Sequence, residues 1–474
     1  MPTIKATYLQ IPKNSRLMGD RNPASFRDPS GHVFLEDGIV FRQINRCYFR
    51  QFSQLVNSGL YSILADTNML VSHEVVVDAH DRKVIRPAQL DLVTFPYEWS
   101  FSQLKDAAIL TLKIHLVALE HGMVLKDATA FNVQFQQGKP IFIDTLSFDS
   151  YKNDDPWMAY GQFCRHFLGP LLLMKYRAPD FNRFQVLYTD GVPLELASTL
   201  LPIRTHLSPF IKANIHLHAD SLRKHKSNDQ AGSKPQLSLR AHRNIVNSII
   251  DYIARLSLEA QTEWTNYYEI SNYKDEAFHF KEEVVRTWVK KYDLKRIWDI
   301  GGNNGHFSRL IQDSCELIVC TDTDPGAVDE NYRTAKNNNE RNIVPLMVDY
   351  TNPTPGIGFD NAERPDFLSR IRALKIDCIL ALALIHHLSI SSNCSFAMLA
   401  GSFSQSARNL LVEFVDPDDS WADSLLRSKR DARPLFSFYN RSNFEDVFSQ
   451  YFRIAESARI PSTRRTLYLM SRKQ

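Results

Sequence analysis

A glycine-rich turn after an apolar run is the segment best suited to chemistry. Residues Ile297–His306 read IWDIGGNNGH, so an apolar strand runs into a turn that holds Gly301, Gly302 and Gly305. Glycine lets the backbone approach a ligand closely, and the first N–H groups of the helix expected next are free to donate. A tight strand–helix turn without a ligand is the alternative reading of this segment alone.

Acidic side chains recur where the next two strands should end. Asp322 follows the turn by about 20 residues, in VCTDTDP, and Asp349 and Tyr350 close the next apolar run. A carboxylate at the first place can accept hydrogen bonds from both ribose hydroxyls of a nucleoside. A carboxylate or backbone group at the second place would meet the adenine amine. The pattern therefore favours a nucleoside ligand over a plain turn.

Two adjacent histidines follow a fourth apolar run. The sequence ALIHHL contains Ala383, His386 and His387, at a strand end where ligands bind in open α/β sheets. Imidazole titrates near neutral pH, so each histidine is a candidate for holding a substrate or accepting its proton. Packing at the strand end is the alternative for each of them.

Together these segments resemble class I S-adenosylmethionine-dependent methyltransferases. Asp299-x-Gly301-x-x-x-Gly305 resembles the first motif of that family, Asp322 matches its ribose-binding acid, and ALIHHL resembles its fourth motif. The resemblance covers about 200 residues and implies S-adenosylmethionine as the cofactor. The cofactor-binding residues that it implies are Asp299, Gly301, Gly302, Asn303, Gly305, Asp322, Asp349, Tyr350 and Ala383.

The turn departs from the family at one position. Asn303 stands where the family usually has its middle glycine, which puts the contact of that residue in doubt. Asparagine is among the few residues besides glycine that visit left-handed backbone routinely, so the turn can keep its conformation.

A nicotinamide dinucleotide is the competing ligand, but the turn is not GxGxxG and no second mononucleotide half follows.

Alternating strands and helices are predicted to position these residues. β-rich runs occur at 296–300, 316–321, 344–348, 377–383 and 410–415, and a last pair at 452–458 and 466–470 favours an antiparallel hairpin. This order predicts an α/β fold with a mostly parallel, seven-stranded, Rossmann-like sheet. An aromatic cluster upstream predicts a helical lid on the cofactor or an aromatic core layer; it comprises Trp264, Tyr267, Tyr268, Tyr273, Phe278 and Lys281.

The N-terminal half carries a second pattern. Apolar residues over 101–120 predict a buried helix, and β-rich runs at 131–135 and 140–143 predict a hairpin. Asp127, Asn132 and Asp144 in this order resemble the catalytic core of protein kinases and aminoglycoside phosphotransferases. That resemblance implies Asp127 as the base and Asn132 with Asp144 as Mg²⁺ ligands, so a nucleotide is an expected partner.

The kinase resemblance is degenerate. The histidine usual before the base is absent, no glycine-rich loop occurs in the first 100 residues, and the phosphate-binding lysine cannot be assigned. A helix–turn–hairpin whose Asp and Asn cap the turn is the alternative. A degenerate kinase-like region followed by a methyltransferase also resembles bacterial nodulation-protein-like methyltransferases.

Composition restricts the class of protein further. The chain has 474 residues and a formal net charge of +3, too mild to indicate a nucleic-acid or membrane partner. Six scattered cysteines without a CxxC pair argue against a disulfide scaffold and a zinc site. Because residues 1–16 lack an apolar signal segment, a cytoplasmic location is expected.

These observations lead to a two-domain prediction. We expect an α+β, kinase-like domain over 1–217, a linker or mobile loop over 218–244, and a methyltransferase domain with its lid over 245–474. The expected reaction is methyl transfer to an O, N or C nucleophile of a small molecule or peptide. A scaffold that uses a nucleotide-bound pseudokinase to dock a partner is the rival hypothesis.

Overall fold

The first element of the described residues is a five-stranded antiparallel sheet. The computed structural model describes residues 19–152, 155–227, 237–258, 275–430 and 432–473. The sheet order is β1-β2-β3-β5-β4, with β1 Asp20–Arg21, β2 Gly31–Glu36, β3 Ile39–Asn45, β4 His73–Asp78 and β5 Arg82–Pro87. This sheet was not predicted from the sequence. Its one strong signal is Asp37-Gly38, where φ is +52° and +76°, the conformation of a tight hairpin.

Helix α3 (Phe101–Glu120) is the centre of the N-terminal core, and its predicted bounds are confirmed. The predicted hairpin is also confirmed, as β7 (Val133–Gln136) paired antiparallel with β8 (Lys139–Phe142). Strand β6 (Met123–Leu125) pairs with β9 (Phe148–Ser150). The other helices are α1 Phe49–Asn57, α2 Leu60–Asp66, α4 Tyr160–Phe163, α5 Gly169–Tyr176, α6 Leu194–Leu200, α7 Pro209–Ile211, α8 His218–Ser227 and α9 Leu239–Arg255.

The predicted linker over 218–244 differs from the structure at both of its ends. Helix α8 occupies the first ten residues, and the ring of His218 stacks on Tyr160 with centroids 5.4 Å apart. Helix α9 buries its apolar side in the same core as α3. Helix α8 was not predicted because its sequence is mostly polar. The spacing of the apolar residues in α9 predicted an apolar face but not the element that packs against it. Residue 245 therefore lies inside a helix that packs on the N-terminal part.

A mixed seven-stranded sheet forms the C-terminal part, as predicted. Its order is β12-β11-β10-β13-β14-β16-β15; the first five strands are parallel, and β16 runs antiparallel to both neighbours. The strands are β10 Arg296–Ile300, β11 Leu317–Asp322, β12 Ile343–Met347, β13 Ile376–Ala381, β14 Ala407–Val415, β15 Phe452–Arg459 and β16 Arg465–Arg472. This is a Rossmann-like sheet with a reversed edge.

Apolar layers cover both faces of this sheet, because successive side chains along each buried strand point to opposite faces. Ile297 belongs to one buried cluster and the next residue, Trp298, belongs to the other. The helices are α10 Asp275–Lys291, α11 His306–Ile311, α12 Pro325–Asn338, α13 Phe367–Ala373, α14 Phe396–Ser406, α15 Ser420–Arg427, α16 Ala432–Leu435 and α17 Arg441–Tyr451.

Helix α3 joins the two parts by packing on α12. Ser102 donates its backbone N–H and its hydroxyl to the carboxylate of Asp329, at 2.7 and 3.0 Å. One turn further, the Asp106 carboxylate accepts from Tyr332 Oη at 2.7 Å and Lys336 Nζ at 2.6 Å. The two parts therefore share a polar interface as well as an apolar core.

The structure describes two of the six residues of the predicted lid. Trp264, Tyr267, Tyr268 and Tyr273 lie outside the described residues, whereas Phe278 and Lys281 lie on α10.

Across the described ranges, no helix combines the length and the apolar character that crossing a membrane requires.

Candidate functional site

The glycine-rich turn leaves β10 through left-handed backbone. Gly301, Asn303 and Gly305 have φ of +69°, +50° and +81°. A Cβ at Gly302 would lie 2.4 Å from the Cys320 sulfur, so no larger residue fits there without a shift. Asn303 adopts the conformation that asparagine tolerates, which explains why it can replace glycine.

Asp299 lies beneath this turn and is almost fully buried. Its Oδ2 accepts a hydrogen bond from the Ser308 hydroxyl at 2.7 Å. Burial raises the pKa of Asp299 to about 6, and the nearby Asp322 carboxylate adds to the rise. Asp299 is therefore a buried acid that supports the turn from below.

The raised pKa of Asp299 makes folding stability depend on pH. Between its ordinary pKa of 3.8 and about 6, the folded state binds more protons at this carboxyl than the unfolded state. This carboxyl should therefore contribute a fall of roughly 3 kcal/mol in the free energy of unfolding as pH rises through this window, opposed by buried histidines whose pKa burial lowers. Asp299→Asn should remove that contribution, so the variant should gain stability relative to the native protein between pH 4 and pH 7, measured by urea unfolding. A stability difference between variant and native protein that does not change with pH would contradict the assignment.

Asp322 ends β11 and faces the turn. Its Oδ2 accepts the Asn303 N–H at 2.8 Å, and its Oδ1 accepts the Asp324 N–H at 2.9 Å. Burial raises its pKa, and these two backbone donors oppose the rise. The carboxylate is thus held in one orientation by backbone N–H groups.

The end of β12 supplies the next side chains. Asp349 Oδ1 accepts from the backbone N–H and the hydroxyl of Thr351, at 2.8 and 2.7 Å. The Tyr350 ring packs 5.7 Å from that of Trp298, and its hydroxyl donates to Ser402 Oγ at 2.7 Å. Asp349 and Tyr350 therefore form one fixed wall.

These residues enclose a cavity of about 410 Å³ at the carboxyl ends of the parallel strands. That size suits a nucleoside-sized ligand, since small-molecule sites usually occupy about 300–1,000 Å³. Of the predicted cofactor residues, those on its wall are Asp299, Gly301, Gly302, Asn303, Asp322, Asp349, Tyr350 and Ala383. Gly305 is not on the wall; it begins α11, where a Cβ would lie 2.4 Å from Asn331 Oδ1.

A buried ionic cluster that was not predicted from the sequence supports the cavity wall at Ala383. Lys281 Nζ lies 2.6 Å from Glu413 Oε2, and both side chains are almost fully buried. The same oxygen accepts the Ala383 N–H at 2.9 Å, and the Glu413 Oε1 lies 3.4 Å from Arg465 Nη1. Ala383 has a φ of +49°, a strained conformation for alanine that this hydrogen bond helps to hold.

The position of Glu413 in the sequence was an indication of this cluster. It stands inside the apolar run LLVEFV of β14, and a carboxylate buried in a strand needs a cationic partner. The pattern did not identify that partner, because Lys281 and Arg465 are distant in sequence.

The two histidines occupy different environments. His387 lies on the cavity wall, whereas His386 is buried outside that wall. Burial lowers the pKa of both, and the Arg465 guanidinium lowers it further. His386 immediately precedes the helical turn His387–Ser391, from which His387, Leu388 and Ser391 line the cavity. Of the two candidate catalytic histidines, His387 lies on the cavity wall, and His386 has the buried surroundings of the packing alternative.

Comparison with known proteins places the chain in a family. The Nodulation protein NoeA of Rhizobium meliloti (strain 1021) is 31% identical over an alignment of 477 residues, covering 98% of this chain and 97% of the relative. The chain belongs to the NoeA family. No protein-family model matches it. The expected likeness to nodulation proteins is confirmed over 98% of this NoeA-family chain.

Solved methyltransferase structures are similar to part of the NoeA-family chain. The N-methyltransferase NodS from Bradyrhizobium japonicum WM9 is 10% identical, with a TM-score of 0.29 over 42% of this chain and 99% of that one. The magnesium protoporphyrin IX methyltransferase (ChlM) from Synechocystis PCC 6803 with bound SAH is 14% identical, with a TM-score of 0.31 over 48% and 94%. The fold assignment rests on the strand order and directions rather than on these matches.

The three residues for which the sequence resembles a kinase core lie together beside the β7–β8 hairpin of the NoeA-family chain. Asp127 Oδ1 accepts from the Thr129 N–H at 3.1 Å and the Gln162 side chain at 2.8 Å. Burial raises the pKa of Asp127, and the Asp144 carboxylate raises it further, while a side-chain hydrogen bond from Asn132 opposes the rise. The three residues therefore share one polar cluster.

The guanidinium of Arg42 forms an ion pair with Asp144, the second carboxylate of that cluster. Arg42 Nη1 lies 2.7 Å from Asp144 Oδ1, and only 12% and 13% of the two side chains is exposed. Within the described ranges, no group of three or more His, Cys, Asp or Glu residues could hold a metal ion. The cluster does not fit the Mg²⁺ that the kinase resemblance implies, because a guanidinium already pairs with Asp144.

Proposed function

We propose that this NoeA-family chain is an S-adenosylmethionine-dependent methyltransferase. The observation that carries the proposal is the cavity at the carboxyl ends of β10–β13, where a glycine-rich turn faces the fixed carboxylate of Asp322. A nucleoside ligand needs both features: backbone that approaches closely, and an acid for the ribose hydroxyls. The Rossmann-like sheet with its reversed edge supports the same proposal.

The residues present fit S-adenosylmethionine as the cofactor. Asp322 would hold the ribose, and Asp349 with Tyr350 would flank the adenine. The turn at Gly301–Asn303 would receive the amino-acid end, because its backbone lines the cavity. Bound there, the cofactor supplies an electrophilic methyl group.

The side chains near Ala383 would align the acceptor. Methyl transfer by direct displacement depends mainly on positioning, with a base where the acceptor carries a proton. His387 is on the wall, and its lowered pKa leaves the imidazole neutral and able to accept a proton near pH 7. We propose a small molecule or peptide with an O, N or C nucleophile as the acceptor.

Calorimetry with the native protein tests the proposal directly. Both S-adenosylmethionine and S-adenosylhomocysteine should bind with one site per chain, and NAD should not bind. Adding labelled S-adenosylmethionine with a panel of acceptors should then transfer the label. Binding of NAD in place of the two adenosyl ligands would overturn the cofactor class.

We infer that the N-terminal part is a degenerate kinase-like region. An antiparallel sheet, a long buried helix and a loop–hairpin segment in this order support the inference. The Arg42–Asp144 pair gives phosphotransfer no support, and nothing favours the rival scaffold function. We also propose that the chain divides into an N-terminal α+β domain and a C-terminal methyltransferase domain, and that its location is cytoplasmic.

A further inference from the structure

One wall of the cavity begins the long connection between β12 and α13. Residues 348–351 line the cavity, and α13 begins only at Phe367. The connection is irregular, with φ of +56° at Asp360 and +53° at Asn361. Because long connections are mobile unless other contacts hold them, the position of this wall depends on what anchors the segment.

The main anchor is a carboxylate of the N-terminal part. Thr354, three residues beyond the wall, donates its hydroxyl to Glu98 Oε1 at 2.6 Å. Glu98 is fully buried, and its two oxygens also accept from the guanidinium of Arg370 on α13. Arg370 donates further to the Val93 carbonyl at 2.7 Å. Glu98 thus ties both ends of the connection to one point.

Apolar and ionic contacts extend this anchor along the connection. Ile357 packs in a buried cluster with Phe95 and Phe131 of the N-terminal part. Arg27 donates to both carboxylate oxygens of Glu363, at 2.7 and 3.0 Å. The whole connection therefore lies against the N-terminal part, while its first residues form the cavity wall.

We propose that the N-terminal part positions the adenine end of the cofactor cavity, with Glu98 as the positioning residue acting through Thr354 and Arg370. This inference rests on the proposed function, since it concerns the same cavity. When the anchor is broken, the wall at 348–351 gains freedom that a ligand must remove on binding, so affinity falls. The N-terminal part then has a role in cofactor binding without touching the cofactor.

Paired substitutions of Thr354 test the anchor with little risk to folding. Thr354→Val keeps the shape and removes the hydroxyl, whereas Thr354→Ser keeps the hydroxyl. Losing one hydrogen bond should weaken S-adenosylhomocysteine binding by about three- to tenfold in calorimetry, and Thr354→Ser should stay within about twofold of native. Glu98→Gln, which also disturbs Arg370, should weaken binding more than Thr354→Val.

A matched control separates positioning from general interface loss. Asp106→Asn weakens contacts between the same two parts, to Tyr332 and Lys336, but does not touch the connection. It should lower the melting temperature while leaving affinity within about twofold of native. If Asp106→Asn lowers affinity as much as Thr354→Val does, the role of Glu98 is only structural and the inference is overturned.

Hydrogen exchange of the protein without ligand gives an independent measure. Amides of residues 351–364 should exchange faster in Thr354→Val than in native protein. If exchange rises but affinity does not change, or if neither changes, the inference fails. If native protein binds no adenosyl ligand, the proposed function fails instead, and unchanged exchange would still show separately that the anchor is absent.

Discussion

Replacing Asp322 with alanine should weaken the binding of S-adenosylmethionine and S-adenosylhomocysteine at least tenfold. A carboxylate that accepts two ribose hydroxyls makes charge-assisted hydrogen bonds worth roughly 1.5–3 kcal/mol each. The substitution also leaves the N–H groups of Asn303 and Asp324 without their acceptor, so the glycine-rich turn should loosen. Both effects lower affinity, and calorimetry measures their sum.

A neighbouring acid provides the control for this prediction. Asp324 is outside the cavity wall and caps α12, where its side chain accepts the Ala327 N–H at 2.8 Å. Asp324→Asn keeps that cap, since asparagine caps helices as well as aspartate does, and should keep native affinity. Native affinity in a folded Asp322→Ala protein would show that the ribose lies elsewhere.

Replacing His387 with alanine should lower turnover while leaving cofactor affinity nearly unchanged. His387 follows β13 and Asp322 ends β11, and β10 lies between these two strands in the sheet, so the acceptor is expected on the β13 side of the cavity. Loss of a general base typically costs about 10²–10⁴-fold, and loss of positioning alone on the order of tenfold or more. The acceptor identified with labelled cofactor would serve as substrate in this assay.

The pH–rate profile distinguishes a base from a positioning group. Burial lowers the pKa of His387 below its ordinary 6.5, so the neutral form persists into mildly acidic solution. If His387 is the base, the rate should rise with pH through a value below 6.5, and this limb should be absent in His387→Ala. His386→Ala should affect stability more than turnover, because that side chain is buried outside the wall. Equal losses of turnover in the two variants would contradict the separation of their roles.

Several elements were predictable from sequence because their signals are local. The bounds of α3 and β10 agree with the apolar runs, and the other strands of the seven-stranded sheet agree within a few residues. Apolar periodicity depends on neighbours within one or two turns, and glycine marks backbone that other residues rarely adopt. The order of the motifs then indicated a parallel sheet with a nucleoside ligand at its carboxyl edge.

The N-terminal sheet was missed because its strands show mixed patterns. Strand β4 is largely exposed or half-buried, so it lacks the clear alternation of a strand that covers a core. The Asp37-Gly38 turn was the better indicator, since it requires left-handed backbone at both positions.

Local patterns in the sequence were sufficient to predict the Rossmann-like class, the glycine-rich turn, and the acids at the ends of β11 and β12. The contacts between distant side chains became visible only in the folded chain: Lys281 contacts Glu413, Arg42 contacts Asp144, and Thr354 contacts Glu98. The folded chain also shows that His387 and not His386 reaches the cavity. The physical reason is that periodicity fixes which face of an element is apolar or polar, whereas packing between distant segments fixes what that face meets.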